Sequence, residues 1–432
     1  MTKEASKSGS LLKMIIQPFD IFLFSIYFIL LFLSIFWIMV LFTVKDEKKP
    51  ALRNDLPMFT AIVPAYNEEK TIRKTIESLV ALDYPKEKKQ IIIVNDGSKD
   101  TTRDIVETFI AQHAQESIIL INQENKGKAA ALNEGLAVAT GEFFACLDAD
   151  SFIEPKALKE MLPYFEQMDV AAVCPLLKVH NPRTVIEKIQ WYEYIINMLY
   201  KSLNGKLDCI HVTPGPFSVY RTNVVTSLGG YDEHNITEDL EIAIRLQKHH
   251  YKIIQTFDAT VYTSSPKTWR KLFTQRVRWY KGSVENSLKY KEMIFNKNYG
   301  DFGMIRMPTI ILSGALSIIV FLFVFQDLLI RSVKNIRWLY GINFNIIPVI
   351  LNYQPHIDIL TLPYARYLIA LTSFGMAIFV MIYAYKIIGE RITNHGKTFV
   401  SLTFYLFVYS IFLSTVWLYI AYQMVTKRKT QW

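Results

Sequence analysis

Three short clusters bring together residue types at spacings that suit chemistry: Asp148-Ala-Asp150, Thr237-Glu238-Asp239 and Gln275-x-x-Arg278-Trp279. Two carboxylates one residue apart at the end of an apolar strand share one rim, where they suit a hard divalent cation that keeps positions open for phosphate oxygens. Such a pair alone is expected about once by chance in a chain this long, and taken by itself a strand-end Asp capping the next helix is the favoured account. Glu238 and Asp239 precede "LEIAIRLQKH", an apolar pattern of helical period. Thr237 is therefore expected as the N-cap, with acids favoured at the helix start, and an acid so placed can also act as a base. Gln275, Arg278 and Trp279 lie in "FTQRVRWYKG", shortly before a long apolar run. The competing reading of that stretch is a basic interfacial helix with Trp279 in the headgroup belt. Arg278 and Trp279 are about 100° apart on a helix, so both can face a cleft while Arg276 and Lys281 turn toward lipid.

The elements that must position these residues are legible upstream. "MFTAIVPAYNEEKTIRKTIESLVAL" reads as a strand, a loop and a helix with Ile72, Ile76, Leu79 and Val80 on one face. "QIIIVNDGSKDTTRDIVETFIAQH" repeats the pattern, followed by "SIILINQ", a helix from about Lys128 to Ala139, and "EFFACLDAD". Strands that are apolar throughout and alternate with helices predict a parallel sheet covered on both faces. Ligands of such sheets bind outside the carboxyl ends of the strands. That rim is where Tyr66, Asn67 and Glu68, then Asn95, Asp96 and Gly97, then Asp148 and Asp150 fall. Neither GxGxxG nor GxxxxGK[ST] occurs, which argues against a dinucleotide oxidoreductase and a P-loop NTPase. "TPGPFSVYR", residues 213–221, reads as a rigid loop fit to form a binding surface, or simply as a tight turn before a strand.

Hydrophobic residues make up 51% of the 432, and they are unevenly spread. Ile21–Val44 contains no charge and is long enough to cross a hydrocarbon core of about 30 Å. Its apolar core is too long for a cleaved signal peptide and lacks a small-residue cleavage pattern, so a permanent anchor is expected. Pro308–Phe325, Ala365–Ile388 and Phe399–Val425 read as three further spans, whereas Ile342–Leu351 is too short to cross and reads as re-entrant or extracellular. The net charge of +9 is concentrated beside the spans, at Lys45, Lys48, Lys49 and Arg53 and at Lys267, Arg270 and Lys271. Anionic lipid fits that placement better than nucleic acid, for which no binding motif is present. Cys146, Cys174 and Cys209 have no metal-ligand spacing and are expected as buried apolar residues.

In order, "VPAYNE", "VNDGS", "NKGKAAALNEG", "LDAD", "TPGPFSVYR", "TED" and "QRVRW" give a pattern that resembles the membrane-embedded family 2 glycosyltransferases, which include the cellulose, chitin, hyaluronan and poly-N-acetylglucosamine synthases. The resemblance covers Pro57 to about Gly282 plus the flanking spans. It implies an α/β fold, a Rossmann-like GT-A domain with a mostly parallel sheet, joined to interfacial and transmembrane helices. It places Tyr66 and Glu68 against the base and ribose of a nucleotide, usually uridine, with Asp96 bonded to the base and Lys128 facing the diphosphate. Asp148 would help bind the donor, and Asp150 with Asp148 would hold Mg2+ or Mn2+. Glu238 and Asp239 would be catalytic, Asp239 as general base. Gln275, Arg278 and Trp279 would close over the diphosphate and the acceptor sugar, with Gly215 and Pro216 on the acceptor surface. Many relatives carry two adjacent acids where this chain has Asn95-Asp96, so only the second acid is carried over.

The implied organisation is an N-terminal segment 1–20, a span 21–44, a catalytic domain 57–263, interfacial helices 264–300, a membrane region 308–425 and a basic tail 426–432. The catalytic domain is expected on the cytoplasmic face of the cell membrane, where nucleotide sugars are, in line with the basic residues after the first span. Three late spans would put the C-terminus outside, against the preference of Lys427-Arg428-Lys429. The implied partners are a UDP-sugar, a carbohydrate or lipid-linked acceptor, membrane lipids and an accessory membrane subunit. Three functions are open at this point: a processive synthase of a β-linked polymer, transfer of one sugar to a membrane lipid, and a binding protein without turnover. The third would predict loss of the acids, yet Asp150, Asp239 and Arg278 are all present.

Overall fold

The computed structural model describes residues 18–44, 49–352, 364–391 and 398–426. Most of the N-terminal segment, Lys45, Lys48 and the basic tail therefore lie outside the described residues. The chain divides into two compact units, one of residues 1–45 and 354–383 and the other of residues 46–353 and 384–432.

The first unit holds α1 (Pro18–Thr43) and the greater part of a late apolar helix. Phe42 of α1 packs on Phe379 and Tyr383, with ring centroids 6.5 and 6.1 Å apart.

The second unit is built on an eight-stranded sheet. In chain order it runs β1 (Phe59–Ala65), α2 (Ile72–Val80), β2 (Lys89–Asp96), α3 (Thr102–Gln112), β3 (Ile118–Gln123), α4 (Lys128–Ala137), β4 (Phe143–Cys146), β5 (Phe152–Ile153), α5 (Ala157–Met161) and β6 (Val170–Val179). It continues with α6 (Val185–Gly205), β7 (Ser218–Arg221), α7 (Thr222–Ser227), α8 (Glu238–Lys248), β8 (Lys252–Thr263) and α9 (Trp269–Lys289). The strand order is β3-β2-β1-β4-β7-β6-β8-β5. β1, β2, β3 and β4 are parallel, as their continuous apolar runs predict, with Phe59 opposite both Lys89 and Phe143. β7 runs antiparallel to β4 and β6, and β5 antiparallel to β8, so the sheet is mixed but mostly parallel. Ile62, Ile92, Phe144 and Cys174 of the strands meet Leu132 of α4 and Ile242 of α8 in one core cluster. All three cysteines are free and buried, as expected of small apolar residues.

α6 begins with a full capping box: the Thr184 side chain accepts from the Glu187 N–H, and the Glu187 carboxylate accepts from the Thr184 N–H at 2.8 Å. α9 starts at Thr268, whose hydroxyl accepts the Lys271 N–H at 3.3 Å. Both are long helices of 21 residues, and their buried faces mix apolar residues with charged ones, Glu193 on α6 and Arg276 and Lys281 on α9.

The late helices are α10 (Met307–Gly341), α11 (Ile347–Leu351), α12 (Tyr364–Ile388), α13 (Thr398–Thr403) and α14 (Tyr409–Thr426), with a π turn at Phe404–Val408 joining the last two. Among the described residues, four helices are long and apolar enough to cross a bilayer: Phe24–Thr43, Phe302–Gly341, Tyr367–Ile388 and Val400–Thr426. The chain is thus a multi-pass membrane protein. The second of these helices continues past Phe325, where the sequence reading ended its span. It is 40 residues long, about 60 Å at 1.5 Å per residue and twice the hydrocarbon thickness. Nothing between Phe325 and Gly341 breaks a helix, and Arg331 pairs with Asp327 one turn back at 2.7 Å. The stretch Ile342–Leu351 carries only the short, exposed α11.

Candidate active site

The carboxyl ends of β1 and β4 deliver the first acids. Tyr66 follows β1 and is exposed, while Glu68 is half-buried and accepts a hydrogen bond from the Thr71 hydroxyl at 2.7 Å. Asp148 and Asp150 follow β4, and the Ser151 hydroxyl donates to Asp150 at 3.1 Å. Asp96, at the end of β2, is buried and holds the chain itself: its carboxylate accepts from Gln123 Nε2 at 2.7 Å and from the N–H groups of Lys126 and Gly127, each at 2.9 Å. That grip fixes the turn into α4, where Gly127 supplies the positive φ of +95°.

The start of α4 then aims Lys128 across the site. Its ammonium lies 2.6 Å from Asp148 and 2.8 Å from Glu238. One side chain thereby joins the end of β4 to the start of α8, so the first two acidic clusters of the sequence are one constellation. The loop 213–221 closes over this bridge. A Cβ at Gly215 would stand 2.8 Å from the Lys128 ammonium and 2.9 Å from a carboxylate oxygen of Asp148, so a side chain there would displace the ends of this ion pair. Thr213 anchors the same loop by donating both its N–H and its hydroxyl to the Asp239 carbonyl, at 3.3 and 2.9 Å. Pro216 is buried beneath it.

Charge is crowded here. Burial, then the neighbouring charges of Asp148 and Glu68, raise the Asp150 carboxyl from 3.8 to about 6. Burial, then Glu238, raise Asp239 to about 6, against the pull of Lys128 and Arg278. Burial would raise Glu238 too, but the Lys128 ammonium beside it holds it below the usual range. Lys128 is itself held well above its ordinary value, because Asp148, Glu238 and Asp239 outweigh the cost of burying its charge.

Two expectations about local structure are corrected. Thr237 precedes α8 but makes no side-chain cap. Its hydroxyl instead donates to Asn235 at 3.3 Å and accepts from Asn286 of α9 at 3.0 Å, because α9 packs directly against the start of α8. The contact is close enough that a Cβ at Gly282 would fall 2.9 Å from the Thr237 Cβ and closer still to its methyl and hydroxyl. Gly282→Val is therefore expected to cost about 1–3 kcal/mol of stability by overpacking and to part α9 from the α8 acids. The checks are the thermal midpoint of the purified protein and its catalytic rate; unchanged values would contradict the packing.

The second correction concerns "FTQRVRWYKG". Arg278 is exposed and its charge acts on Glu238 and Asp239, so it faces the acids. Trp279 is half-buried. Arg276 and Lys281, expected to face lipid, are instead buried. Arg276 forms an ion pair with Glu193 of α6, donates to Tyr409 of α14 at 3.1 Å and to Gln275 at 2.6 Å, and lies over the Trp279 ring, 4.1 Å from its centroid. Once α9 is docked on α6 by its apolar contacts, the buried guanidinium needs a partner of opposite charge, and Glu193 supplies it. Likewise Lys49 pairs with Glu160 and Asp258, and Arg53 with Glu166, so these two bases bind the domain's own acids. Lys267, Arg270 and Lys271 are exposed.

Glu193 and Tyr409 were absent from the sequence reading. A signal existed for the first: a lone acid between Trp191, Tyr192, Tyr194 and Ile195 is out of place unless it has a buried partner. Tyr409, in a membrane helix, offered none.

A family model described as "Glycosyl transferase family 2" matches residues 60–229. The chain is 34% identical over 272 residues to the poly-beta-1,6-N-acetyl-D-glucosamine synthase of Staphylococcus aureus (strain COL), a match covering 60% of this chain and 64% of that protein. It is 32% identical over 271 residues to the synthase of the same name from Staphylococcus epidermidis, covering 60% and 65%. The matched region spans just under two thirds of the length of these relatives. Among solved structures, the mannosyltransferase PcManGT from Pyrobaculum calidifontis, in complex with GDP-Man and Mn2+, aligns with a TM-score of 0.55 at 22% identity, covering 69% of this chain and 86% of that one. The fold is thus of the GT-A kind, and the chain carries a family 2 glycosyl transferase domain at residues 60–229 among helices fit to cross a membrane.

Proposed function

We propose that the protein is an inverting glycosyltransferase that moves a sugar from a nucleotide diphosphate, UDP for preference, onto a growing β-linked polysaccharide at the cytoplasmic face of the membrane. By its likeness to the staphylococcal synthases, the sugar is N-acetylglucosamine and the polymer β-1,6-linked. The observation that carries the reading is the single constellation in which Lys128 ties Asp148 to Glu238 beside Asp150, Asp239 and Arg278.

The donor set fits a divalent cation. Glu68, Asp148, Asp150, Glu238 and Asp239 are five carboxylates whose charges act on one another in part, against the two cations Lys128 and Arg278 that act on Glu238 and Asp239, so a diphosphate entering alone would meet net negative charge. Among the described residues no closed cage of three or more His, Cys, Asp or Glu is present. An open pair of hard oxygen donors, Asp148 and Asp150, is what Mg2+ or Mn2+ would use while sharing its remaining positions with phosphate. When bound, the cation would neutralise charge developing on the departing diphosphate.

The chain's own residues supply the rest. Tyr66 and Glu68 stand at the β1 rim for the nucleoside, with Asp96 shaping the same rim. Lys128, Arg278 and the Gln275 amide offer donors to the diphosphate, where preorganised charge is worth most. The acceptor hydroxyl attacks the anomeric carbon as the bond from that carbon to the phosphate oxygen breaks. Its proton goes to the Asp239 carboxylate and the electron pair leaves with the nucleotide. Trp279 offers a flat apolar face for the acceptor ring, and Gly215 and Pro216 its floor.

The test is purified protein in lipid nanodiscs with labelled UDP-N-acetylglucosamine and Mn2+. A ladder or high polymer is expected, whereas a single organic-extractable glycolipid would replace the polymer reading with lipid transfer. Stripping divalent ions with a chelator should abolish turnover and their return restore it; turnover that survives would remove the role given to Asp148 and Asp150.

A further inference from the structure

Arg276 is the odd member of the QRVRW segment. It lies wholly inside the protein, and every part of its guanidinium is engaged. Nε donates to Glu193 Oε1 at 3.2 Å and to the Tyr409 hydroxyl at 3.1 Å, Nη2 pairs with Glu193 Oε2, and Nη1 donates to Gln275 Oε1 at 2.6 Å. The Tyr409 hydroxyl closes the ring by donating to Glu193 Oε2 at 2.8 Å. The guanidinium plane also covers Trp279. Burying an ion pair gives little net stability, since two apolar side chains of like volume usually serve as well. Its geometry, in contrast, decides what two neighbours can present.

Guanidinium has donors only, so its bond to Gln275 must take the amide oxygen. The bond leaves the Gln275 NH2 as the end not taken by Arg276, a donor suited to phosphate oxygen. Stacking on Trp279 fixes the plane of that ring. We infer that Arg276 is a positioning residue that sets Gln275 and Trp279 toward donor and acceptor, and that Tyr409 makes the membrane helix α14 part of that setting.

The joint spans three elements that no local rule brings together. Glu193 is on α6, Arg276 on α9 and Tyr409 at the start of α14. Tyr409 follows immediately on the π turn at Phe404–Val408, which accommodates an extra residue and so determines which face of α14 carries the hydroxyl inward. Val277 of α9 packs with Val416 and Ile420 of α14 just beyond, keeping the two helices in register.

This inference rests on the glycosyltransferase reading, and the test separates the two. In nanodiscs, wild type, the double variant Glu193→Met with Arg276→Met, and Tyr409→Phe are compared for thermal midpoint, sugar transferred to polymer, and donor lost to water. The double replacement leaves no unpaired buried charge, so its midpoint should stay close to that of wild type. Transfer should nevertheless fall at least tenfold and the hydrolysed share of donor should rise, because the acceptor platform is no longer held. Tyr409→Phe keeps the ring in place and should lower transfer severalfold with the same shift toward hydrolysis. A double variant that folds and transfers like wild type makes the pair structural only and overturns the inference. If the double variant does not fold, Tyr409→Phe decides, and wild-type transfer and partition in that variant overturn it. A wild type that consumes no nucleotide sugar overturns the functional reading itself.

Discussion

Replacing Asp239 with Asn should lower sugar transfer about 10²–10⁴-fold, the usual worth of a general base, and leave nucleotide binding intact. The physical case is specific to this position. Asp239 is partly buried at the start of α8, its carbonyl is pinned by Thr213, and one of its carboxylate oxygens accepts the Leu240 N–H at 2.9 Å. Asn keeps the shape and that acceptor, and it removes one of two adjacent carboxylates, so the fold should not suffer. Single-turnover transfer and calorimetric UDP binding are the measurements; near-normal transfer would remove Asp239 from the role. Burial and Glu238 raise its carboxyl from 3.8 to about 6. A base acts only when unprotonated, so activity should be full above that value and fall as pH drops through about 6. Asp150 is raised to about 6 as well, and interacting acids titrate as a set. The variants separate them: if the residual activity of Asp239→Asn keeps the same acid limb, the limb belongs to Asp150.

Arg278→Ala should cost about 10²–10³ in the rate of the chemical step, the loss seen when one preorganised charge-stabilising donor is removed. The thermal midpoint should hardly move, because Arg278 is exposed and surface changes are usually within about 0.5 kcal/mol. Its charge acts on Glu238 and Asp239, so its removal should also make Asp239 harder to ionise and move the acid limb upward. Arg278→Lys should recover part of the rate, since an ammonium keeps the charge without the planar fork. Stopped-flow transfer together with thermal unfolding tests this. A large loss of stability in Arg278→Ala would mean that the exposed arginine helps to hold the fold, and would remove the reading of it as a charge-stabilising donor alone.

The contrast between those two arginines shows where sequence reading ends. On a helix, position alone says that Arg276 and Arg278 point in different directions, and it suggests that one faces lipid. What it cannot supply is the acid 83 positions upstream and the tyrosine 133 positions downstream that draw Arg276 inside. Asp96 is a similar case. Its place at a strand end marked it for a ligand, yet its oxygens hold Gln123, Lys126 and Gly127 and so build the turn that aims Lys128.

Periodicity settled what is local. Continuous apolar runs of strand length marked β1 to β4 as parallel, with β1, β2 and β4 buried and β3 a half-exposed edge strand, apolar runs of bilayer length marked four spans, and strand ends located Glu68, Asp148 and Asp150 on one rim. Each follows from a repeat or a length that a short window contains. Tertiary structure alone decided that Lys128 fuses two acidic clusters, that Gly215 rests against that ion pair and Gly282 against Thr237, that β7 and β5 run against the sheet, and that a membrane helix holds the QRVRW segment. Those outcomes depend on which distant surfaces meet, and the free energy of such meetings is spread over residues that no single window of the chain contains.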